Sequence, residues 1–261
     1  MQQRTAEWLD KDKVNRDYHD RQFREPYRST IAFCNWLETA GLVAREGGLR
    51  ILDMCSGAGA NIYYMSKRYP KMSFIGVDIN ADLVEQGNVF FQSTGIQDCR
   101  LEVGDIYNLD PRYVSEFDGV VSFQTLNWFP EFKAPLEAMA KLRPGWIAVS
   151  ALLYNGPVSC TIDITEYDDD LEPTRSGFYN VCSLPVVRKH LEGDGFRDFQ
   201  FTPFEIDVDL PKPGHGLMST YTEKLEDGRR LQRSGPLLMP WYFIAARQSS
   251  AASGSTSSPA S

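Results

Sequence analysis

The sequence is poor in the features that mark membrane, nucleic-acid-binding and secreted proteins. No uncharged apolar run reaches the ~18 residues that a membrane-spanning helix needs. Lysine and arginine total 27 against 35 acidic residues, and the resulting charge of 27 − 35 = −8 disfavours a nucleic-acid-binding surface. The polar stretch 1–10 does not resemble a signal peptide. We therefore expect a cytoplasmic protein that binds neither nucleic acid nor membrane.

Cysteine is also scarce. The five cysteines are odd in number and widely spaced, which indicates neither a disulfide framework nor a metal site. Hydrophobic residues make up 42% of the chain and aromatic residues 12%, enough to fill a core. The length of 261 residues suits one large domain or one domain with a lid.

Short apolar runs alternate along the chain with segments of helical periodicity. The runs that predict strands are 49–54, 73–78, 100–103, 117–123 and 146–153, and the segments that predict helices are 61–69, 81–93 and 133–142. Such alternation predicts an α/β fold with a mostly parallel sheet and helices on both faces.

The organisation outside this alternation predicts three regions. Residues 1–44 are expected to form a helical cap, with Ser29 as the N-cap of its second helix. Residues 45–247 form the main domain, with lid insertions at 155–182, after the fifth strand, and at 208–240, between the last two strands. An Asp-Gly pair at 227–228 predicts a hairpin in the second insertion. Residues 248–261 contain only small and polar residues and are expected to be disordered.

The most informative segment joins the first predicted strand to the following helix. Gly57 and Gly59 lie where a ligand can approach the backbone closely, and the helix N-terminus adds free N–H groups. The third position of a dinucleotide fingerprint is Ile62 instead of glycine, which disfavours a pyrophosphate. Asp53, at the end of the strand, would suit a cationic ligand better than a phosphate.

A second acid follows the second predicted strand. Asp78 lies 78 − 59 = 19 residues past Gly59, where an acid accepts both hydroxyls of an adenosine ribose. The site therefore calls for a nucleoside with a positive appendage. S-adenosylmethionine, which carries a sulfonium, fits this description.

With these motifs the sequence resembles the class I S-adenosylmethionine-dependent methyltransferases of small-molecule type. The matching segments are Asp53-x-x-x-Gly57-x-Gly59, Asp78, Gly104-Asp105-Ile106, the strand 117–122 with 124–128, and Leu142-Arg143-Pro144-Gly145-Trp146, in which Trp146 replaces a glycine. The resemblance covers residues 45 to 155 and implies a seven-stranded Rossmann-like sheet, S-adenosylmethionine as cofactor and methyl transfer.

The resemblance also implies which residues bind the cofactor. They are Asp53, Gly57, Gly59, Asn61, Asp78, Ile79, Asp105, Ile106 and Gln124. In members similar to glycine N-methyltransferase, a Tyr and an Arg before the first strand touch the methionyl end, and Tyr18 and Arg28 are the candidates here. Competing roles stay open: Asp53 as a salt-bridge partner, Asp105 as a helix cap, the glycines as a tight turn, and Tyr18 and Arg28 as surface residues.

The acceptor is expected to be a small polar metabolite, such as a sugar or natural-product intermediate, methylated on oxygen or nitrogen. Candidate substrate contacts are Asn127, Trp128, Tyr154 and Tyr179, and the loop histidine His215 is a candidate general base. The same aromatics could simply pack a lid, and His215 could be an ordinary loop residue. Asn127 stands where nucleic-acid amino-methyltransferases have their Asn or Asp, but the adjacent prolines are missing.

Two alternatives remain open from the sequence. They are an NAD(P)-dependent oxidoreductase, disfavoured by Asp53 and the missing third glycine, and a non-catalytic binding protein that keeps the fold. The oligomeric state is also open, and a homodimer is one option.

Overall fold

The computed structural model describes residues 21–168, 170–212 and 218–249. Its helices are α1 (Arg28–Thr39), α2 (Ala60–Arg68), α3 (Ala81–Thr94), α4 (Lys133–Lys141) and α5 (Leu184–Gly193), with short 3₁₀ turns at Pro111–Tyr113 and Leu126–Trp128. Its strands are β1 (Arg50–Met54), β2 (Ser73–Asp78), β3 (Cys99–Val103), β4 (Gly119–Phe123), β5 (Trp146–Ala151), β6 (Leu153–Tyr154), β7 (Asp163–Tyr167), β8 (Pro173–Phe178), β9 (Cys182–Ser183), β10 (Phe196–Phe204), β11 (Thr220–Lys224), β12 (Arg230–Ser234), β13 (Leu237–Leu238) and β14 (Trp241–Gln248).

One sheet of seven strands forms the centre, in the order β10-β14-β5-β4-β1-β2-β3. Strands β1 to β5 are parallel neighbours, and β14 runs antiparallel to both β5 and β10. The predicted α/β fold with a mostly parallel seven-stranded sheet is confirmed. Parallel strands end at one edge of the sheet, so the segments that follow β1, β2, β3 and β4 meet there.

Each face of the sheet buries its own hydrophobic cluster, which is why the central strands are apolar along their length. On one face Ile51 of β1 packs with Phe33 and Leu37 of α1 and with residues of α2 and α3. On the other face Leu52 packs with residues of α4 and α5, including Leu136. Side chains alternate along β1, so Asp53 faces the same side as Ile51.

Helix α1 differs from its prediction in both its start and its role. The helix begins at Arg28 with Tyr27 at the N-cap, so the prediction of Ser29 as N-cap is wrong. Phe33, Cys34 and Leu37 are fully buried against the central sheet. This part of the predicted cap therefore belongs to the core of the main domain, whereas residues 1–20 lie outside the described residues.

Both predicted insertions contain small sheets. In the first, β7 and β8 form an antiparallel hairpin and β9 pairs with β6, although no clear periodicity marks this stretch in the sequence. In the second, β11, β12 and β13 form a three-stranded sheet, which confirms the hairpin at 227–228. Strand β14 extends to Gln248, which pairs with Phe196, and the Ser249 N–H donates to the Gly195 carbonyl at 2.9 Å, so the predicted disordered tail begins too early by these two residues. Residues 250–261 lie outside the described residues.

The helices of the described ranges are too short or too polar to cross a membrane.

Candidate active site

Two carboxylates lie buried side by side where β1 and β2 end. Asp53 is 1% exposed and Asp78 is 5% exposed, and parallel pairing of the two strands brings their carboxyl ends together. Neither carboxylate oxygen of Asp53 has a hydrogen-bond partner among the described residues. A buried carboxylate without a hydrogen-bond partner lowers the stability of the protein, which indicates that its partner is a bound molecule.

Asp78 connects the glycine loop to the end of β2. Its Oδ2 accepts the Gly57 backbone N–H at 2.7 Å, and its Oδ1 accepts the Asn80 backbone N–H at 2.9 Å. Asn80 caps α3 by accepting the N–H groups of Asp82 and Leu83. Asp78 is therefore not the N-cap of α3, and its carboxylate lies at the end of β2.

Burial raises the pKa of both carboxyl groups. For Asp53 the negative charge of Asp78 raises the pKa further, whereas backbone hydrogen bonds partly offset the rise for Asp78. Within the described part of the chain, no lysine, arginine or histidine forms an ion pair with either acid. The salt-bridge alternative for Asp53 thus finds no partner there. A bound cation would lower both pKa values.

The loop between β1 and α2 packs so tightly that it needs glycine at defined places. Gly59, the N-cap of α2, has φ +80°, and a Cβ there would lie 2.8 Å from Cζ of Phe91. On α3, a Cβ at Gly87 would lie 2.3 Å from the carbonyl oxygen of Ala58. Sequence reasoning missed Gly87, because its close approach is to a loop far away in the chain. Ile62 is fully buried and fills the space behind the loop.

Cys55, the residue directly after β1, was also missed by the sequence analysis. It has φ +59°, a left-handed conformation that favours glycine, and its N–H donates to the Val77 carbonyl at 2.8 Å. Burial raises the pKa of its thiol, and the charges of Asp78, Asp53 and Asp105 raise it further. The side chain is therefore a neutral thiol in an acidic surrounding.

The remaining strand ends add three segments to the same edge. After β3, Asp105 Oδ1 accepts the Tyr107 N–H at 2.9 Å and Ile106 is buried. After β2, the apolar side chain of Ile79 is 43% exposed. After β4, Gln124 has φ +54° and its N–H donates to Ser150 at 2.9 Å. The predicted cofactor residues of all four strand ends are thus brought together.

Comparison with known families decides the class of this arrangement. The family described as a methyltransferase domain matches residues 45–152, the segment from β1 to just past β5. The chain therefore contains a methyltransferase domain, which fits the predicted class of S-adenosylmethionine-dependent methyltransferases. S-adenosylmethionine is the cofactor of this class, so the predictions of family, enzyme and cofactor are confirmed. The comparison with curated protein sequences gave no match.

Solved structures share the fold of this methyltransferase at low sequence identity. A candidate sarcosine dimethylglycine methyltransferase from Galdieria sulphuraria is 14% identical with a TM-score of 0.51, and the match covers 67% of this chain and 64% of that one. Magnesium protoporphyrin IX methyltransferase from Synechocystis PCC 6803, crystallised with S-adenosylhomocysteine, is 14% identical with a TM-score of 0.51, covering 85% and 83%. The [4+2]-cyclase SpnF is 14% identical with a TM-score of 0.55, covering 84% and 81%. The shared fold does not by itself fix the reaction.

The N-terminal end of α1 lies beside the glycine loop of the methyltransferase. Thr30 donates its hydroxyl to Oδ1 of Asn61 at 2.7 Å, which joins the first turns of α1 and α2. Arg28, the first residue of α1, is exposed near this junction. Its predicted role and that of Asn61 stay predictions, and Tyr18 and His215 lie outside the described residues.

Asn127 does not take the substrate-facing position that the sequence suggested. The residue is completely buried, and its amide donates to the carbonyls of Leu152, at 3.2 Å, and Asn180. Its Oδ1 accepts the Leu152 N–H at 2.9 Å. With no exposed surface and its amide engaged by backbone, Asn127 acts as a structural link between the loop after β4 and the first insertion.

The three aromatic candidates divide between packing and exposure. Tyr179 is buried, with its ring edge-on to Trp128 at 4.9 Å and to Trp241 at 6.4 Å, so it packs the lid and is unavailable to a substrate in this conformation. Trp128 is partly exposed, and Tyr154 is 52% exposed. Trp128 and Tyr154 remain predicted acceptor contacts. Ser150, at the end of β5, has a buried hydroxyl with no partner among the described residues.

Proposed function

We propose that the methyltransferase transfers the methyl group of S-adenosylmethionine to an oxygen or nitrogen atom of a small polar molecule. The observation that carries this proposal is the buried Asp53 carboxylate, which lies beside Asp78 without a described cation. S-adenosylmethionine brings a sulfonium and an ammonium group and one carboxylate, so it adds net positive charge to this acidic crevice. The residues of this crevice therefore fit S-adenosylmethionine, whereas a pyrophosphate would add negative charge to an acidic site.

The proposed roles of the chain follow from the strand ends. Asp78 accepts the ribose hydroxyls, and Gly57 and Gly59 let the cofactor approach the backbone. Ile79, Asp105 and Ile106 surround the adenine. Asp53, Asn61 and Gln124 orient the methionyl end. Tyr18 and Arg28 also contact this end, and Arg28 pairs with its carboxylate.

The cofactor supplies a methyl group already activated by its positively charged leaving group. The protein then has to bind both reactants, align them in line and exclude water. Trp128, in the 3₁₀ turn after β4, and Tyr154, in β6, are the proposed contacts on the acceptor side. The net charge of −8 supports a small-molecule acceptor over a nucleic acid, and a sugar or natural-product intermediate is the proposed class.

If the acceptor is a hydroxyl, His215 is the proposed general base. Replacing it, His215→Ala, should then lower turnover by about 10²-fold and remove the rise of turnover with pH near the ordinary histidine pKa. The measurement is kcat as a function of pH, with His190→Ala as the control, because His190 lies on α5 between Glu137 and Asp194. Unchanged turnover at every pH would reject His215 as the base.

Calorimetry with three ligands tests the proposed function directly. The protein should bind S-adenosylmethionine and S-adenosylhomocysteine and should not bind NADH. Mass spectrometry of a small-metabolite pool incubated with protein and cofactor should then show products heavier by one methylene group. Binding of NADH without binding of either adenosyl ligand would support the oxidoreductase alternative, and binding without any methylated product would support the non-catalytic one.

A further inference from the structure

Tyr107 carries a buried hydroxyl that the folded scaffold does not use. The residue lies two positions past Asp105 in the loop after β3, and its hydroxyl oxygen has no hydrogen-bond partner within the described ranges. A buried, unpartnered hydroxyl destabilises the ligand-free protein. We expect a bound ligand to supply the hydrogen-bond partner that this hydroxyl lacks.

The Tyr107 ring is nevertheless held in a fixed place. Its edge faces the ring of Phe129, with centroids 5.6 Å apart and an interplanar angle of 88°. Its backbone N–H donates to Oδ1 of Asp105 at 2.9 Å. The side chain also packs against the hydrophobic cluster that includes Met54, the last residue of β1. The position of the hydroxyl is therefore set before any ligand binds.

The charged and titratable groups around this hydroxyl leave it as a hydrogen-bond donor. Burial raises the pKa of Tyr107, and the negative charges of Glu131 and Asp105 raise it further, so the phenol stays protonated. Glu131 is already engaged, because its two oxygens accept the N–H groups of Lys133, at 2.7 Å, and Ala134, at 3.0 Å. The phenolic proton thus remains available to a ligand.

We infer that the Tyr107 hydroxyl donates a hydrogen bond to the nucleoside part of the bound cofactor, an inference that rests on the proposed function. The hydroxyl lies among residues that follow two different strands, Cys55 after β1 and Asp105 after β3. The sheet order places β2, with the ribose-binding candidate Asp78, between them. An adenosyl group bound across the ends of β1, β2 and β3 would therefore pass next to the Tyr107 hydroxyl.

Tyr113 provides a matched control in the same region. Its hydroxyl donates to Glu102 and accepts from Arg112 Nη2 at 3.3 Å, so it has partners within the scaffold. The variants Tyr107→Phe and Tyr113→Phe each remove one hydroxyl and keep the ring. Loss of the Tyr107 hydroxyl should lower affinity and not stability, whereas loss of the Tyr113 hydroxyl should lower stability and not affinity.

The experiment measures melting temperature and calorimetric affinity with two probes, S-adenosylhomocysteine and 5′-methylthioadenosine, which lacks the amino-acid end. Tyr107→Phe should weaken binding of both probes by about three- to tenfold and leave the ligand-free melting temperature unchanged or higher. Tyr113→Phe should lower the melting temperature and leave both affinities unchanged.

Other outcomes overturn the inference in distinguishable ways. Wild-type affinity of Tyr107→Phe for both probes would refute it, and weaker binding of S-adenosylhomocysteine alone would place the contact at the amino-acid end. A lower melting temperature of ligand-free Tyr107→Phe would show that the hydroxyl already has a partner in the scaffold. If wild-type protein binds neither probe, the proposed function fails and not merely the role of Tyr107.

Discussion

Two pairs of buried polar residues at the same edge of the sheet differ in how their hydrogen bonds are used. Asp53 and Asp78 end β1 and β2, and Asp53 has no partner among the described residues. Asn127 and Asn180 join the loop after β4 to the first insertion, and their side chains bond to backbone groups of five residues. Both pairs are buried, so burial alone does not identify a binding residue. What identifies a binding residue is a buried group that the protein itself leaves without a hydrogen-bond partner, such as the Asp53 carboxylate.

The largest effect should follow from breaking the asparagine pair. In Asn180→Ala the N–H of Ile162 and the carbonyl of Phe129, bonded at 2.9 and 2.8 Å, lose their partner. Because buried polar groups are then unpaired, we expect a loss of about 2–4 kcal/mol in the free energy of unfolding. Urea denaturation measures the loss, and calorimetry should show unchanged affinity of the folded protein for S-adenosylhomocysteine.

Asn108→Ala is the control for this change, because Asn108 is exposed. A cost below about 0.5 kcal/mol for Asn180→Ala, equal to the control, would contradict the structural role of the pair.

Replacing an acid of the other pair should change affinity, which Asn180→Ala leaves unchanged. Asp78→Ala removes the acceptor for the ribose hydroxyls and frees the Gly57 N–H, so S-adenosylmethionine binding should weaken by about 1–3 kcal/mol. Calorimetry measures the change, with the exposed acid Asp82, in the first turn of α3, replaced by alanine as the control. Wild-type affinity in the Asp78 variant would refute its assignment.

Asp53→Asn should have two smaller effects: it should stabilise the ligand-free protein and weaken binding of the cofactor. Because the pKa of Asp53 is raised in the folded protein, the folded state binds a proton that the unfolded state has released, and stability falls as the pH rises through the folded-state pKa. The neutral variant avoids this loss, so ligand-free Asp53→Asn should be more stable than wild type by about 1–2 kcal/mol at neutral pH.

The same variant should bind S-adenosylmethionine more weakly, by about 0.5–1.5 kcal/mol, since it lacks the charge that favours a cation. Thermal melts between about pH 4 and pH 8 and calorimetry at neutral pH measure the two effects. A variant that is less stable than wild type at neutral pH would show that the Asp53 carboxylate is satisfied within the scaffold.

The same comparison explains how far the sequence could predict the protein. The Asp53 and Asp78 sites are local: each is an acid at the end of an apolar run, and the sequence located both strands within one residue of their observed bounds. The role of Asn127 is not local, because its partner Asn180 is 53 positions away and nothing in the intervening pattern indicates the pairing. Its polarity near the site therefore suggested a substrate contact.

Other missed features have the same physical origin. Gly87 is an ordinary helix residue in the sequence, and only the fold brings the Ala58 carbonyl against it. Strand β7 has only exposed and half-buried positions, so it lacks the apolar signal of the central strands. The left-handed conformation of Cys55 is imposed by the turn after β1, where the sequence offers no glycine.

The most direct test of the account is the affinity of the wild-type protein for S-adenosylmethionine as a function of pH, measured beside the stability of the ligand-free protein. Ionised Asp53 and Asp78 attract the cofactor but are unfavourable when buried without it. As the pH rises from the ordinary aspartate pKa through the raised pKa values of the two acids, the affinity should therefore rise while the ligand-free melting temperature falls. An affinity that stays constant or decreases over this range, or a folded protein that does not bind the cofactor, would contradict the account.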